Sequence, residues 1–90
     1  MTEHYEVRWS PSARRAIADE LPESVAAAVV ELVLAPLRTE PRRVGKPLHE
    51  PFDGRWSARR ATYRVIYRID DDKHLVTIEV IRPRGTAYRS

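Results

Sequence analysis

Hydrophobic and polar residues alternate with a period of two over Tyr63-Arg64-Val65-Ile66-Tyr67-Arg68-Ile69, which predicts a β-strand. Successive strand side chains point to opposite faces. Tyr63, Val65, Tyr67 and Ile69 therefore share an apolar face, while Arg64 and Arg68, with Ile66 between them, share the other. One face builds a core and the other offers guanidinium groups to an anion. Tyr5, Val7 and Trp9 alternate with Glu6 and Arg8 in the same way, so residues 4–9 predict a short strand.

The pattern then changes to helical spacing. Ser10 can accept hydrogen bonds from the first free amides of a helix, and Pro11 suits the first helical position because its missing donor would be unpaired there. A helix over 11–21 places Ala13, Ile17 and Leu21 on one side, with Arg14, Arg15, Asp19 and Glu20 in solvent. Pro22 breaks it. A second helix over 23–37 gathers Val25, Val29, Leu32 and Val33 on one face with Ala26 to Ala28 as a smooth flank, and so short a join implies an antiparallel hairpin. Residues 36–51 hold four prolines and Gly45, which forbids a long regular element and predicts a connecting arm.

Strands are predicted at 54–60, 62–69 and 74–82, with turns near Arg60-Ala61 and at Asp70 to Lys73. Val76, Ile78 and Val80 alternate with Thr77, Glu79 and Ile81 in the last of them. The predicted fold is α+β: an N-terminal strand, an antiparallel helical hairpin, then three antiparallel strands forming a curved sheet with one face covered and the other free. Ninety residues predict a single domain over 1–90, of which roughly 60 to 65% of the unfolded surface is buried.

Composition narrows the chemistry. With no cysteine, disulfides, thiolate metal sites and a thiol nucleophile are all excluded, and a reducing, cytoplasmic setting is expected. No window approaches the roughly 18 apolar residues of a membrane span, so no membrane partner is expected. Charge is uneven: residues 1–41 carry four Arg against seven acidic residues, while residues 42–90 carry twelve Lys or Arg against six. Fourteen of the sixteen basic residues are Arg, a residue that grips phosphate bidentately and never acts as a base; a GC-rich genome would also favour it.

His4, His49 and His74 are scattered without metal-ligand spacing, so no metal site and no cofactor are expected. His49 and Glu50 read as solvated loop residues, and Asp70 to Asp72 as an exposed turn. What remains is a basic face with aromatics. If 54–60 and 62–69 form a hairpin, Arg55, Ser57 and Arg59 share a face with Arg64 and Arg68, a patch suited to nucleic acid. The tail adds Arg82, Arg84, Tyr88 and Arg89 after the last strand; Tyr88 either stacks on a base, handles a proton or packs a frayed terminus.

The segment from Gly54 to Tyr67, preceded by Arg43-Val44-Gly45-Lys46-Pro47-Leu48 and followed by Arg82-Pro83-Arg84-Gly85-Thr86-Ala87-Tyr88, resembles the RelE toxins of the RelE/ParE superfamily over nearly the whole chain. The Tyr-Arg-aliphatic-aliphatic-Tyr strand at 63–67 is its most specific element. The resemblance implies the toxin of a type II toxin-antitoxin pair, a ribosome-dependent endoribonuclease that cuts mRNA by attack of the 2′-hydroxyl on the adjacent phosphate without a metal, and so inhibits translation.

It also implies roles. Arg64 would hold the phosphate, with Arg82 or Arg84 as the C-terminal arginine and Tyr88 as the stacking or proton-handling residue. Arg55, Ser57, Arg59, Arg60 and Lys46 would bind RNA. Ser57 departs from the pattern, standing where a close RelE relative has a lysine that assists proton transfer. The implied partners are a RelB-like antitoxin with an acidic amphipathic segment, the ribosome with its mRNA, and operator DNA only through the antitoxin. Two alternatives stay open: a ParE-type, non-enzymatic inhibitor of DNA gyrase, and a catalytically weak toxin that serves as an antitoxin-bound co-repressor.

Overall fold

The computed structural model describes residues 4–49 and 54–83. Strand β1 (Glu6–Trp9) leads into helix α1 (Pro11–Arg15), which continues as a π-helical turn over Ala16–Glu20. Ser10 caps α1 as predicted: its Oγ accepts from the Ala13 N–H at 3.0 Å, and Pro11 takes the first turn. Leu21 must leave the helical region because Pro22 follows it, and its ψ of 147° is extended. Helix α2 (Glu23–Leu32) then widens into a second π-helical turn over Val33–Leu37. Pro36 lies in that turn without an N–H to give, and the Arg38 N–H reaches back five residues to the Val33 carbonyl.

The proline-rich arm has no long element, but it does carry a short helix α3 (Pro41–Val44) and a two-residue strand β2 (Lys46–Pro47). Strands β3 (Arg55–Arg60), β4 (Tyr63–Asp70) and β5 (Leu75–Pro83) follow at the predicted places. The sheet order is β1-β5-β4-β3-β2. Thus β2 is an added edge strand, a position that tolerates Pro47. The N-terminal strand makes the sheet mixed, because β1 runs parallel to β5 while all other pairs are antiparallel. Among the described residues no helix is long and apolar enough to cross a membrane.

The helical layer covers one sheet face only. Ala13, Ala16, Val29, Leu32, Val33 and Leu37 from the helices meet Ala58, Val65, Tyr67, Val76, Ile78 and Ile81 from the sheet in one cluster. Tyr63 and Ile69 pack on its margin, so the apolar face predicted for β4 is the core face. In β5 the alternation departs from expectation. A β-bulge leaves Glu79 as an extra residue between the Ile66↔Val80 and Tyr67↔Ile78 pairs. The phase slips by one residue there, so Ile81 rather than Val80 enters the core.

Ser10 holds this irregularity from the helix side. Its hydroxyl donates to the Glu79 carbonyl at 2.6 Å and its N–H to the Ile78 carbonyl at 2.9 Å. At the far end of the sheet, the Asp70-to-Asp72 turn is exposed as expected but not idle. The Arg42 guanidinium donates to both Asp71 oxygens, at 2.5 and 3.3 Å, and Tyr5 Oη donates to Asp71 at 2.8 Å. Those bonds, Arg42 first, hold the Asp71 carboxyl below the usual carboxylate range. Tyr5 also stacks on His74 at 4.0 Å, tying β1 to the β4–β5 turn.

Among the described residues, Tyr67 is the one fully buried large side chain with a polar end. Its hydroxyl donates to the Pro41 carbonyl at 2.5 Å and receives the Gly45 N–H, fastening the arm to the sheet. A Cβ on Gly45 would collide with that hydroxyl and come within 2.8 Å of the Ser57 carbonyl, so only glycine fits. Burial pushes the Tyr67 phenol up to about 12. Tyr67→Phe, which strands the Pro41 carbonyl, is expected to lower stability by about 1–3 kcal/mol in urea denaturation at neutral pH. The sign at high pH also follows. A raised phenol loses stability as pH climbs from about 10, where the unfolded tyrosine ionises, to about 12. The variant should lack that part of the alkaline decline, and an unchanged alkaline limb would refute the assignment to Tyr67.

Candidate functional site

Register decides which basic residues meet. In antiparallel pairs, residues directly opposite share a face. Arg59 pairs with Arg64, and Arg64 pairs with Arg82 on its other side, so three arginines form one row across β3, β4 and β5. They lie on the sheet face opposite the helices. The bulge makes this possible: without the extra residue in β5, Arg82 would point to the core side.

The next row along the strands is Lys46, Ser57, Ile66 and Val80. Lys46 therefore stands beside Ser57, one strand over, with its side chain exposed. Ile66 and Val80 are half-buried and give this row an apolar middle. A third row comprises Arg55, Arg68, Thr77 and Arg8. Here the charge is balanced in part: Glu79, which alternates with the core residue Ile78 and so shares this face, accepts from Arg55 Nε at 2.6 Å and pairs with Arg68 Nε at 3.0 Å.

The structure thus brings together Arg55, Ser57, Arg59, Arg64, Arg82 and Lys46 on one open face. Arg60 is not among them. It pairs with Tyr63 on the helix-covered side and lies 3.8 Å from Glu31 of α2, because it is one residue out of phase with Arg59. Arg84 and Tyr88 lie outside the described residues, as does Glu50. Of the two candidate C-terminal arginines, Arg82 is therefore the one seen on the Arg64 face. His49 is exposed on the arm.

Glu79 is the site-facing residue that the sequence reading passed over as an ordinary strand polar position. A signal for it exists. Val80 and Ile81 are consecutive apolar residues, which breaks a strict alternation and marks a slip in phase at Glu79. Among the described residues no group of three His, Asp or Glu side chains gathers as a metal site would require.

Comparison with known proteins adds family context. A family model described as the ParE toxin of type II toxin-antitoxin system, parDE, matches residues 1–88. Toxin RelG of Mycobacterium tuberculosis is 47% identical over 85 residues, covering 94% of this chain and 97% of that protein. Toxin RelE of the same organism is also 47% identical over 85 residues, covering 94% and 87%. The crystal structure of the toxin-antitoxin complex RelBE2 from Mycobacterium tuberculosis contains a chain that superposes with a TM-score of 0.85 at 46% identity, covering 91% of this chain and all of that one.

A row of like charges set directly opposite one another strains a sheet. Arg59→Ser is accordingly expected to raise stability by about 0.2–1 kcal/mol at low ionic strength, with the gain fading as salt screens the row. Thermal melts at two salt concentrations check this, and a salt-independent or negative change would contradict the electrostatic reading.

Proposed function

The chain belongs to the ParE toxin family of type II toxin-antitoxin systems, and we propose that within it the chain acts as a ribosome-dependent mRNA endoribonuclease that stops translation. The single observation that carries this reading is the Arg59–Arg64–Arg82 row on the sheet face that the helices leave open. Three guanidiniums at one level suit a phosphate that gains charge as it is attacked.

In this reading Arg64 and Arg82 bind the non-bridging oxygens of the scissile phosphate and stabilise the phosphorane. The ribose 2′-oxygen forms the new bond to phosphorus, and the bond from phosphorus to the 5′-oxygen breaks. The 2′ proton passes to Tyr88 in its phenolate form, and the leaving 5′-oxygen takes a proton from the Lys46 ammonium. Arg82 is followed by Pro83, the last residue of β5. Lys46 offsets the loss at Ser57, because β2 sets an amine beside the position from the adjacent strand. Arg55 and Arg59 hold the RNA on either side, and the reaction asks for no metal because arginines supply the positive charge.

The same open, basic face calls for a cover. An acidic amphipathic segment of a RelB-like antitoxin fits its charge and its apolar middle row. The similar Mycobacterium tuberculosis chain is held in a toxin-antitoxin complex, which supports a partner of this kind. A second reading, inhibition of DNA gyrase without catalysis, is favoured by the family model's description and by Ser57.

With programmed ribosomes and purified protein, Arg64→Ala should lower the rate of mRNA cleavage by about 10²- to 10³-fold. Intact mRNA with the unmodified chain, together with blocked supercoiling in a gyrase assay, would move the assignment to the second reading. Lys46→Arg keeps the charge but holds its proton too tightly to donate it. If Lys46 transfers a proton, Lys46→Arg should lose as much cleavage as Lys46→Ala, about 10²-fold or more; full activity in Lys46→Arg would reduce its role to charge.

A further inference from the structure

We propose that Glu79 is a positioning residue that builds a second phosphate seat on the basic face, separate from the Arg64 row. This rests on the reading of that face as an RNA-binding surface. Arg55 and Arg68 are register partners, so their guanidiniums would repel at close range if left alone. Glu79 bridges them through Nε of each, at 2.6 and 3.0 Å, with its own side chain only 23% exposed.

Engagement through Nε has a geometric consequence. A guanidinium has five N–H donors, and the Nε contact spends one on the carboxylate while leaving the paired Nη edge for a second acceptor. Among the described residues, Glu79 is the only hydrogen-bond or ion-pair partner of the Arg55 and Arg68 side chains. Two forks held by one carboxylate form a rigid seat of net charge +1, and rigidity removes most of the side-chain entropy that a phosphate would otherwise have to freeze.

The carboxylate is where it is by construction. Alternation from the core residues Val76 and Ile78 puts Glu79 on this face, and Ser10 fixes the strand there by bonding to the Glu79 and Ile78 carbonyls. Arg68 also borders a cleft of about 570 Å³ lined by both charges, Arg8 and Lys73 with Asp70 to Asp72. Arg68 lies four residues from Arg64 along β4, or about 13 Å at about 3.3 Å per residue. One phosphate cannot fill both seats, so the second takes a phosphate further along the same strand of RNA.

Length dependence of binding tests this on the full chain. Fluorescence anisotropy would compare a single-stranded RNA of about eight nucleotides with a dinucleotide that carries one phosphate. Glu79→Ala is expected to weaken the longer RNA about 5- to 10-fold, although it makes the face more positive, and to reduce the slope of log K against log salt by about 0.7. Dinucleotide binding should not fall. Arg68→Ala, at an exposed position, should show the same length-dependent loss, and combining it with Glu79→Ala should add little.

Tighter binding by Glu79→Ala to both RNAs would mean that Glu79 only balances charge, and would overturn the proposal. Equal losses for both RNAs would do the same, since they would reflect general damage to the face. If the unmodified chain binds neither RNA, the underlying RNA reading fails instead. Loss on Arg64→Ala with no change on Glu79→Ala or Arg68→Ala would leave that reading intact and remove the second seat.

Discussion

One extra residue in β5 governs what both faces of the sheet present. Side chains in a strand alternate, so inserting Glu79 between the Ile66↔Val80 and Tyr67↔Ile78 pairs reverses the phase of everything beyond it. Ile81 turns into the core and Arg82 turns out beside Arg64. A regular β5 would bury Arg82 against the helices and expose Ile81, at a cost in desolvation that a chain of ninety residues has little stability to absorb. The bulge is therefore a condition of both the hydrophobic core and the arginine row.

Ser10 connects that condition to the helical layer. Its hydroxyl oxygen accepts the Ala13 N–H, which starts α1, and its proton goes to the Glu79 carbonyl, which the bulge would leave short of a ladder partner. A single small side chain thus satisfies a helix end and a sheet irregularity at once. Tyr67 plays the matching part at the arm, where its hydroxyl joins β4 to the Pro41 carbonyl and the Gly45 N–H. Both links are polar groups buried or half-buried at seams between layers, and they fix how the layers sit far more sharply than the aliphatic contacts around them.

Local chemistry explains which features were legible in the sequence. Ser10-Pro11 marked the α1 start, Pro22 marked the break between helices, and the Tyr63-to-Ile69 alternation marked the core face of β4. Each of these depends on neighbours within a turn or two. The features that were missed depend on distant partners. β2 hides in a proline-rich arm because two residues carry no period, and only β3 defines them as a strand. The parallel placement of β1 beside β5 is set by how the hairpin returns the chain, which no local pattern encodes. Arg60 looked equivalent to Arg59 in a run of basic residues, yet one step of phase sends it to the helix side and to Glu31. Glu79 was overlooked for the same reason: its meaning lies in Arg55 and Arg68, 24 and 11 positions away in the chain, measured by the contacts it makes rather than by its neighbours.

The two arginine rows on the open face then differ in a way that bears on how an anion would be received. In the Arg55–Arg68 row the carboxylate of Glu79 offsets repulsion in the folded protein, so that row is ordered before any ligand arrives. In the Arg59–Arg64–Arg82 row the residues directly opposite one another are all arginines. Whatever anion binds the folded chain at that row stabilises the fold by mass action. The row nearest the end of β5 thus sets three arginines side by side because the bulge turns Arg82 outward, while the carboxylate of Glu79 just before that bulge preorganises the neighbouring row.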